Sequence, residues 1–419
     1  MISLTSRPII RENKLIELIL QLQPICALPI YFSVLTGNHL LPISLLIATI
    51  PIGIRFWLYH HFFQRTPFDL PILIFIFGMV IGSIIAPDKQ VALGALSSSF
   101  ASISVYYGIT NSTQLKTKYW LWLGIIICLI TIVMSAWFFS QGDSRRLVFN
   151  QWIFGLFGWL PKTSGPVLQW NSLAALLSVV IPPLFGIAFF QNNKTIRIGA
   201  LVSGLLFLGL LFLTASGEGW IGTAIGLTFM LFCWRKWTLG FIVPIFGILA
   251  TLASIFYNKI HWLSIVFSVG HLTDRFDIWR NTLNLFAFKL YYPFTGLGFG
   301  SLNKLYISEF ARNVNHTHNS YLQVYADTGI IGVLSLIIAV VIFIRMAKSI
   351  FSTSKQNTCY GAGIGLIGGI ISGAIFAFFD VTTMVPVTIS AQFIYMSVPL
   401  LWIIVAMFVG AYDYCRKPL

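Results

Sequence analysis

The sequence predicts an all-α, polytopic membrane protein, and three observations support that prediction. Of the 419 residues, 57% are apolar and only 9% are charged, whereas soluble domains average about 25% charged residues. Apolar runs of roughly 17 to 25 residues, long enough to cross a bilayer as helices, recur along the whole chain. These runs are too continuous for the alternating strands of a membrane barrel, so the backbone must satisfy its hydrogen bonds as helices.

We predict about twelve membrane helices in a single integral membrane domain, residues 1–419. The first apolar run follows basic residues but lacks a small-residue cleavage site, so it is expected to be a retained helix. The predicted helices lie near 15–36, 40–59, 70–86, 91–110, 119–140, 171–190, 197–214, 218–235, 238–257, 321–344, 360–379 and 387–411.

Basic residues at the helix ends predict the orientation. When the loops are assigned alternately to the two sides, Lys and Arg collect on the side that holds both termini. On the opposite side, the short turns contain a single lysine or arginine, Lys89. These turns are 37–39, 87–90, 215–217 and 380–386. The positive-inside rule therefore places both termini in the cytoplasm.

The net charge of +14 comes from these scattered basic residues. No block of five like charges occurs, so nucleic acid is not expected as a partner. The five cysteines are odd in number and form no C-x-x-C pair, which predicts neither a disulfide nor a cysteine metal site.

Two loops on the outer side are longer than the others. One, near 141–170, contains Arg145, Arg146 and Lys162, and the other spans 258–320. Long loops in compact proteins are usually functional or disordered, and the aromatic and glycine content of 258–320 argues against disorder. We therefore expect residues 258–320, with helical stretches near 272–290, to contain the active site.

The first motif of this loop is the stretch 274–280. On a helix, Arg275 and Trp279 share a face, while Asp277 and Arg280 are spaced to form an ion pair. An arginine here is suited to bind phosphate or pyrophosphate through two hydrogen bonds. The alternative is an ion-paired amphipathic helix that lies at the membrane interface.

The second motif is the glycine-rich stretch 293–300, which allows a tight turn and close backbone approach to a ligand. Its G-x-G-x-G spacing lacks the βαβ surroundings of a dinucleotide-binding fingerprint.

The third motif begins at His316-Thr317-His318-Asn319. Asn319 or a neighbouring residue is expected to cap the following helix, and Asn319, Gln323 and Asp327 fall on one polar stripe that enters the membrane. A histidine beside a helix N-terminus favours the neutral imidazole that a general base needs. Because H-x-H supplies two metal ligands and zinc needs three or four, no metal site is expected.

These motifs resemble those of the O-antigen ligase and O-antigen polymerase superfamily of bacterial membrane glycosyltransferases. The stretch 316–334 is similar to the superfamily's H-x-H-N-x-x-L-Q motif, which an acidic residue and G-x-x-G follow. Arg275 with Trp279, and then 293–298, are similar to its R-x-x-x-W and P-x-x-G-x-G elements, and Asn171 begins a stretch similar to its N-x-x-A element. The resemblance covers most of the chain and implies a GT-C-like fold with a long periplasmic loop between helices nine and ten.

The resemblance implies transfer of a glycan from undecaprenyl pyrophosphate to an acceptor hydroxyl of lipid A–core, a polysaccharide or a protein. The reaction would take place on the periplasmic face of the bacterial inner membrane, with no metal and no other cofactor. His318 by preference, or His316, would act as general base, and Arg275 would bind the pyrophosphate. The candidate substrate-binding residues are Arg275, Arg280, Asn319, Gln323, Asn171, Arg145 and Arg146.

One position departs from the superfamily pattern. Where an S-R-G arginine is expected to hold phosphate, this chain has Ser216-Gly217-Glu218. A carboxylate repels pyrophosphate, so either Glu218 turns away from the donor or the donor differs. Arg145, Arg146 or Lys162 would then supply the missing positive charge.

Two other functions stay open at this level. A transporter of a small anion such as bicarbonate should have charged residues inside the membrane and broken helices, and Pro182-Pro183 could break one. An inactive relative that serves as a membrane scaffold is the other alternative. The charged residues cluster at one outer face, which favours the enzyme.

Overall fold

The computed structural model describes residues 19–27, 29–30, 40–111, 170–214, 216–233, 269–352, 358–380 and 397–416. These residues form helices joined by turns, and none of them is in a β-strand. A short 3₁₀ helix covers Phe286–Phe288. The α-helices are α1 (Gln23–Cys26), α2 (Leu41–Tyr59), α3 (Asp69–Ile85), α4 (Lys89–Asn111), α5 (Trp170–Phe190), α6 (Lys194–Leu213), α7 (Gly217–Cys233), α8 (Val269–Leu285), α9 (Tyr292–Thr295), α10 (Ser301–Phe310), α11 (Ser320–Phe351), α12 (Thr358–Phe379) and α13 (Ser397–Arg416).

The described helices confirm a helical, multi-pass membrane architecture. Within these ranges, six helices are long and apolar enough to cross a bilayer, namely α2, α4, α5, α6, α11 and α12. Helices α3 and α7 and a part of α13 are shorter and also apolar. The predicted helices 119–140 and 238–257, half of 15–36 and the first part of 387–411 lie outside the described residues. The count of twelve therefore stays a prediction.

Glycines hold α5, α7 and α12 close together. A Cβ added at Gly369 of α12 would lie 2.6 Å from the carbonyl oxygen of Val179 on α5, and one at Gly226 of α7 would lie 2.5 Å from that of Gly368. In membranes, where helices gain little from the hydrophobic effect, such small residues allow the close packing that stabilises a helix pair. This packing fixes the ends of the three helices relative to one another.

Helix α5 continues through Pro182 and Pro183, so the break that this pair could have caused does not occur. Pro183 removes the helical hydrogen bond to the carbonyl of Val179. Helix α12 covers that carbonyl at Gly369, which agrees with the tolerance of proline in membrane helices that pack against neighbours.

The chain does break the helical geometry inside α11, at Gly329, where φ is 63° and ψ is −157°. The glycine-rich turn packs against this break: the amide of Leu297 donates to the carbonyl of Ala326 at 2.6 Å. A Cβ added at Gly329 would lie 2.3 Å from the carbonyl oxygen of Phe294. The close backbone approach that the sequence predicted for a ligand is therefore made to the protein's own helix.

Candidate active site

Four helix ends meet at one face of the protein. Helices α5, α7 and α11 begin there, and α12 ends there at Asp380. The Asn171 amide at the start of α5 donates to the Asp380 carboxylate at 2.5 Å, and the Ser320 hydroxyl at the start of α11 donates to the Asp380 carbonyl at 2.8 Å. Residues far apart in sequence thus form one polar cluster.

The loop that carries the two histidines is held from both sides. Trp279 of α8 donates its indole N–H to the carbonyl of Thr317 at 2.9 Å. The Thr317 amide donates to the Gln323 side chain at 3.0 Å, and Thr317 itself is fully buried. The residue between His316 and His318 is therefore fixed by hydrogen bonds on its amide and its carbonyl.

The predicted cap and polar stripe at the start of α11 are confirmed. The Asn319 side chain accepts from the amide of Leu322 at 2.9 Å, and Gln323 donates to both carboxylate oxygens of Asp327 at 3.1 Å. Asn319 and Gln323 are buried, and their side chains bond the protein itself. Gln323 therefore holds the backbone of the histidine loop, and Asn319 caps the helix that follows the loop.

The two histidines stand side by side, with ring centroids 4.1 Å apart. The amide of His318 lies 3.4 Å from Nδ1 of His316, and His318 has a φ of 51°, a left-handed conformation that is uncommon for residues other than glycine. Such strain is often found at functional sites.

Burial lowers the pKa of His316 well below its ordinary value of 6.5, and the neighbouring His318 and Arg275 lower it further. The neutral imidazole expected from the sequence is thus favoured. The main cause is removal from water, which disfavours the charged form, whereas the sequence argument relied on the helix dipole.

Asp380 joins the histidines, and the sequence analysis missed it. A ligand nitrogen of His316, one of His318 and a carboxylate oxygen of Asp380 all lie within 4.8 Å of one another. The only sequence signal was an acidic residue at the start of the predicted outer turn 380–386. With Asp380, the group contains three side chains of the metal-ligand kind, where the H-x-H motif alone supplied two.

Glu218, which follows the position of the missing arginine at Gly217, forms an ion pair with Arg275. Their side chains keep 16% and 13% of their surfaces exposed. The Ser216 hydroxyl lies 2.9 Å from the Glu218 carboxylate and 3.1 Å from the amide oxygen of Asn171, and its single proton serves one acceptor at a time. Glu218 therefore faces the arginine that was expected to bind phosphate.

Arg280, another predicted cation, is not part of this cluster. Arg280 is exposed on α8, and so is Asp277. The ion pair expected between them is absent from the described part of the chain, where Arg275 pairs with Glu218 instead. Arg145, Arg146 and Lys162 lie outside the described residues.

A comparison with protein families supports the resemblance. Residues 202–337 match the family model described as O-antigen ligase. The matched segment includes Glu218, Arg275 and both histidines, while Asn171 and Asp380 lie outside it. A comparison with curated proteins finds no match. The match over residues 202–337 is thus where the chain is similar to O-antigen ligases.

Proposed function

We propose that the protein transfers a glycan from undecaprenyl pyrophosphate to an acceptor hydroxyl at the periplasmic face of the bacterial inner membrane. The observation that carries this proposal is the meeting of Arg275 with His316 and His318 where four helices begin or end. A phosphate-binding cation and two imidazoles at one face, with the pKa of His316 lowered by burial, suit a reaction between a membrane-held donor and an acceptor from outside. A GT-C-like fold with both termini in the cytoplasm is part of the proposal.

In the proposed reaction, the acceptor hydroxyl oxygen attacks the anomeric carbon of the donor sugar. The bond from that carbon to the pyrophosphate oxygen breaks, its electron pair leaves with the pyrophosphate, and the configuration at carbon inverts. His318, with His316 as the second choice, takes the acceptor proton. The Asp380 carboxylate stabilises the imidazolium that forms, as an opposite charge nearby does.

Pyrophosphate is a good leaving group, so the departing oxygen needs charge neutralisation more than a strong acid. Arg275 supplies that charge once the donor phosphate displaces Glu218 from it. In the free enzyme, Glu218 is paired with Arg275 and competes with the donor phosphate for this guanidinium. The acceptor is a hydroxyl of lipid A–core, a polysaccharide or a protein.

The remaining candidates take supporting parts in the proposal. Asn171 orients Asp380 through its 2.5 Å hydrogen bond, and Asn319 and Gln323 hold the histidine loop. Arg145 and Arg146 contribute positive charge toward the donor from the other outer loop. Arg280 lies exposed on α8, where it is open to a headgroup or to the glycan.

Transport of a small anion is the competing function, and the break in α11 at Gly329 is the observation closest to it, since transporters use discontinuous helices. In this protein the turn at Phe294–Gly296 packs into that break. The adjacent side chain, Asp327, is acidic and buried, which does not suit an anion. We therefore favour transfer over transport. We also favour it over an inactive scaffold, which would need no pair of histidines beside a carboxylate and an arginine.

The test is complementation of a deletion strain with the wild type, His318→Ala or the control His60→Ala, an exposed histidine after α2. Loss of a surface glycan, restored by the wild type and His60→Ala but not by His318→Ala, supports transfer. An unchanged glycan profile with altered anion uptake would establish the transporter. Full restoration by His318→Ala, with neither change, would support the scaffold.

A further inference from the structure

The cluster of His316, His318 and Asp380 has the composition of a metal site with open positions, two imidazoles and one carboxylate. Catalytic zinc sites commonly use three protein ligands of these kinds and leave the fourth position to water or substrate. Tetrahedral zinc with bonds of about 2.0 to 2.2 Å separates its ligand atoms by roughly 3.3 to 3.6 Å. The ligand atoms here lie within 4.8 Å of one another. Side-chain movements of about 1 Å would therefore bring them to the spacing that zinc requires.

Neighbouring groups already hold the Asp380 side chain and the backbone that carries the two histidines. Asn171 donates to one oxygen of the Asp380 carboxylate at 2.5 Å, and Trp279 donates to the backbone between the two histidines at 2.9 Å. Outer hydrogen bonds of this kind fix the direction of metal ligands and raise affinity. Little additional ordering is therefore needed when a cation binds.

The charge of the cluster also favours a cation. Asp380 places a carboxylate beside the two imidazoles, and the Arg275 guanidinium is paired with Glu218. Neutral imidazole and ionised carboxylate are the forms that bind metal.

We propose that His316, His318 and Asp380 bind a divalent transition-metal ion of the Zn²⁺ class and that the bound ion blocks glycan transfer. The inhibitory part rests on the proposed function, because the ion takes the imidazole lone pairs that would accept the acceptor proton. Metal release then activates the enzyme, and zinc acts as a reversible inhibitor of the same site.

Binding is tested on the purified full-length protein by titration with Co²⁺, followed by displacement with Zn²⁺. The visible absorption of tetrahedral Co²⁺ should appear in the wild type and in His60→Ala. Asp380→Asn should weaken binding by at least about 10- to 100-fold, the loss that substitution of an outer-shell partner produces, and Asn171→Ala should fall in that range. A thermal melt of each variant shows that it is folded. Absence of the Co²⁺ bands from the wild type, or equal affinity in folded Asp380→Asn, would overturn the site.

Activity is measured separately, so that failure of the metal proposal and of the transferase proposal can be told apart. Zn²⁺ should abolish transfer by the wild type, and a chelator should restore it. Transfer that depends on His318 in a protein that binds no metal overturns the metal site and leaves the proposed function intact. Metal binding in a protein that shows no transfer under any condition supports the site and refutes the function, and transfer unaffected by bound Zn²⁺ overturns the inhibition.

Discussion

Replacement of Glu218 by glutamine tests whether Arg275 binds the donor phosphate. Glutamine has nearly the same shape and keeps an oxygen that accepts a hydrogen bond from Arg275, but it removes the negative charge that competes with the donor. If Arg275 receives the pyrophosphate, Glu218→Gln should raise affinity for undecaprenyl pyrophosphate. The turnover number should change less than the affinity, because the substitution acts on the free enzyme.

The size of the effect follows from the surroundings of the pair. Two unit charges about 4 Å apart interact by roughly 4 kcal/mol at an effective dielectric constant of about 20. Exposed ion pairs contribute about 1 kcal/mol or less, and these side chains keep 13% and 16% of their surfaces in contact with solvent. We therefore expect about 1 to 2 kcal/mol, which corresponds to a roughly 5- to 30-fold increase in donor affinity.

The assay is calorimetric titration of the detergent-solubilised protein with undecaprenyl pyrophosphate that carries no glycan. The matched control is Glu309→Gln, which removes an exposed carboxylate from α10 in the same loop and should leave affinity unchanged. The double variant with Arg275→Gln should bind no better than Arg275→Gln alone. Unchanged or weaker binding by a folded Glu218→Gln protein would show that Arg275 does not hold the phosphate.

Three further outcomes are expected. Trp279→Phe keeps an aromatic ring but removes the hydrogen bond to the histidine loop. We expect kcat to fall about 10- to 100-fold, with donor affinity unchanged in titration. A kcat equal to that of the wild type would show that Trp279 does not position the histidines. Gly329→Ala should lower the free energy of unfolding by more than about 1 kcal/mol, because alanine is strained at positive φ. The control Gly209→Ala, where a Cβ meets open space, should not lower it. Denaturant titration measures the free energy of unfolding of both variants. If His316, the second choice, is the general base, its lowered pKa keeps it neutral at pH 6.5. In that case kcat of the chelator-treated enzyme should persist as pH falls through 6.5 and decline only at lower pH. A midpoint at or above 6.5 would exclude His316 as the base.

The membrane architecture could be predicted because it depends on local properties. Apolar runs of membrane-spanning length leave helices as the only way to satisfy the backbone, and α5, α6 and α12 begin and end within a few residues of the predicted bounds. The Asn319 cap and the polar stripe below it followed from spacings of three and four residues on one helix. Local patterns such as these depend on no distant part of the chain.

The partners of the site residues could not be predicted in this way. Asp380 is 209 residues from Asn171 in sequence, and Glu218 is 57 residues from Arg275, so no local pattern reports either contact. Glycine-mediated packing of α5, α7 and α12 brings Asn171, Glu218 and Asp380 together, and α8 places Arg275 against Glu218. From the sequence, either Glu218 turns away from the donor or the donor differs, and the glycine turn allows close approach to a ligand.

What the sequence by itself determined is therefore the helical membrane class, the O-antigen ligase resemblance and the importance of the histidine loop. Only the tertiary structure decided that Glu218 pairs with Arg275, that Asp380 stands beside the histidines, and that the turn at 293–300 fills the break in α11. The physical reason is that periodicity and capping are local, whereas charge pairing and close backbone contact depend on which helices pack together.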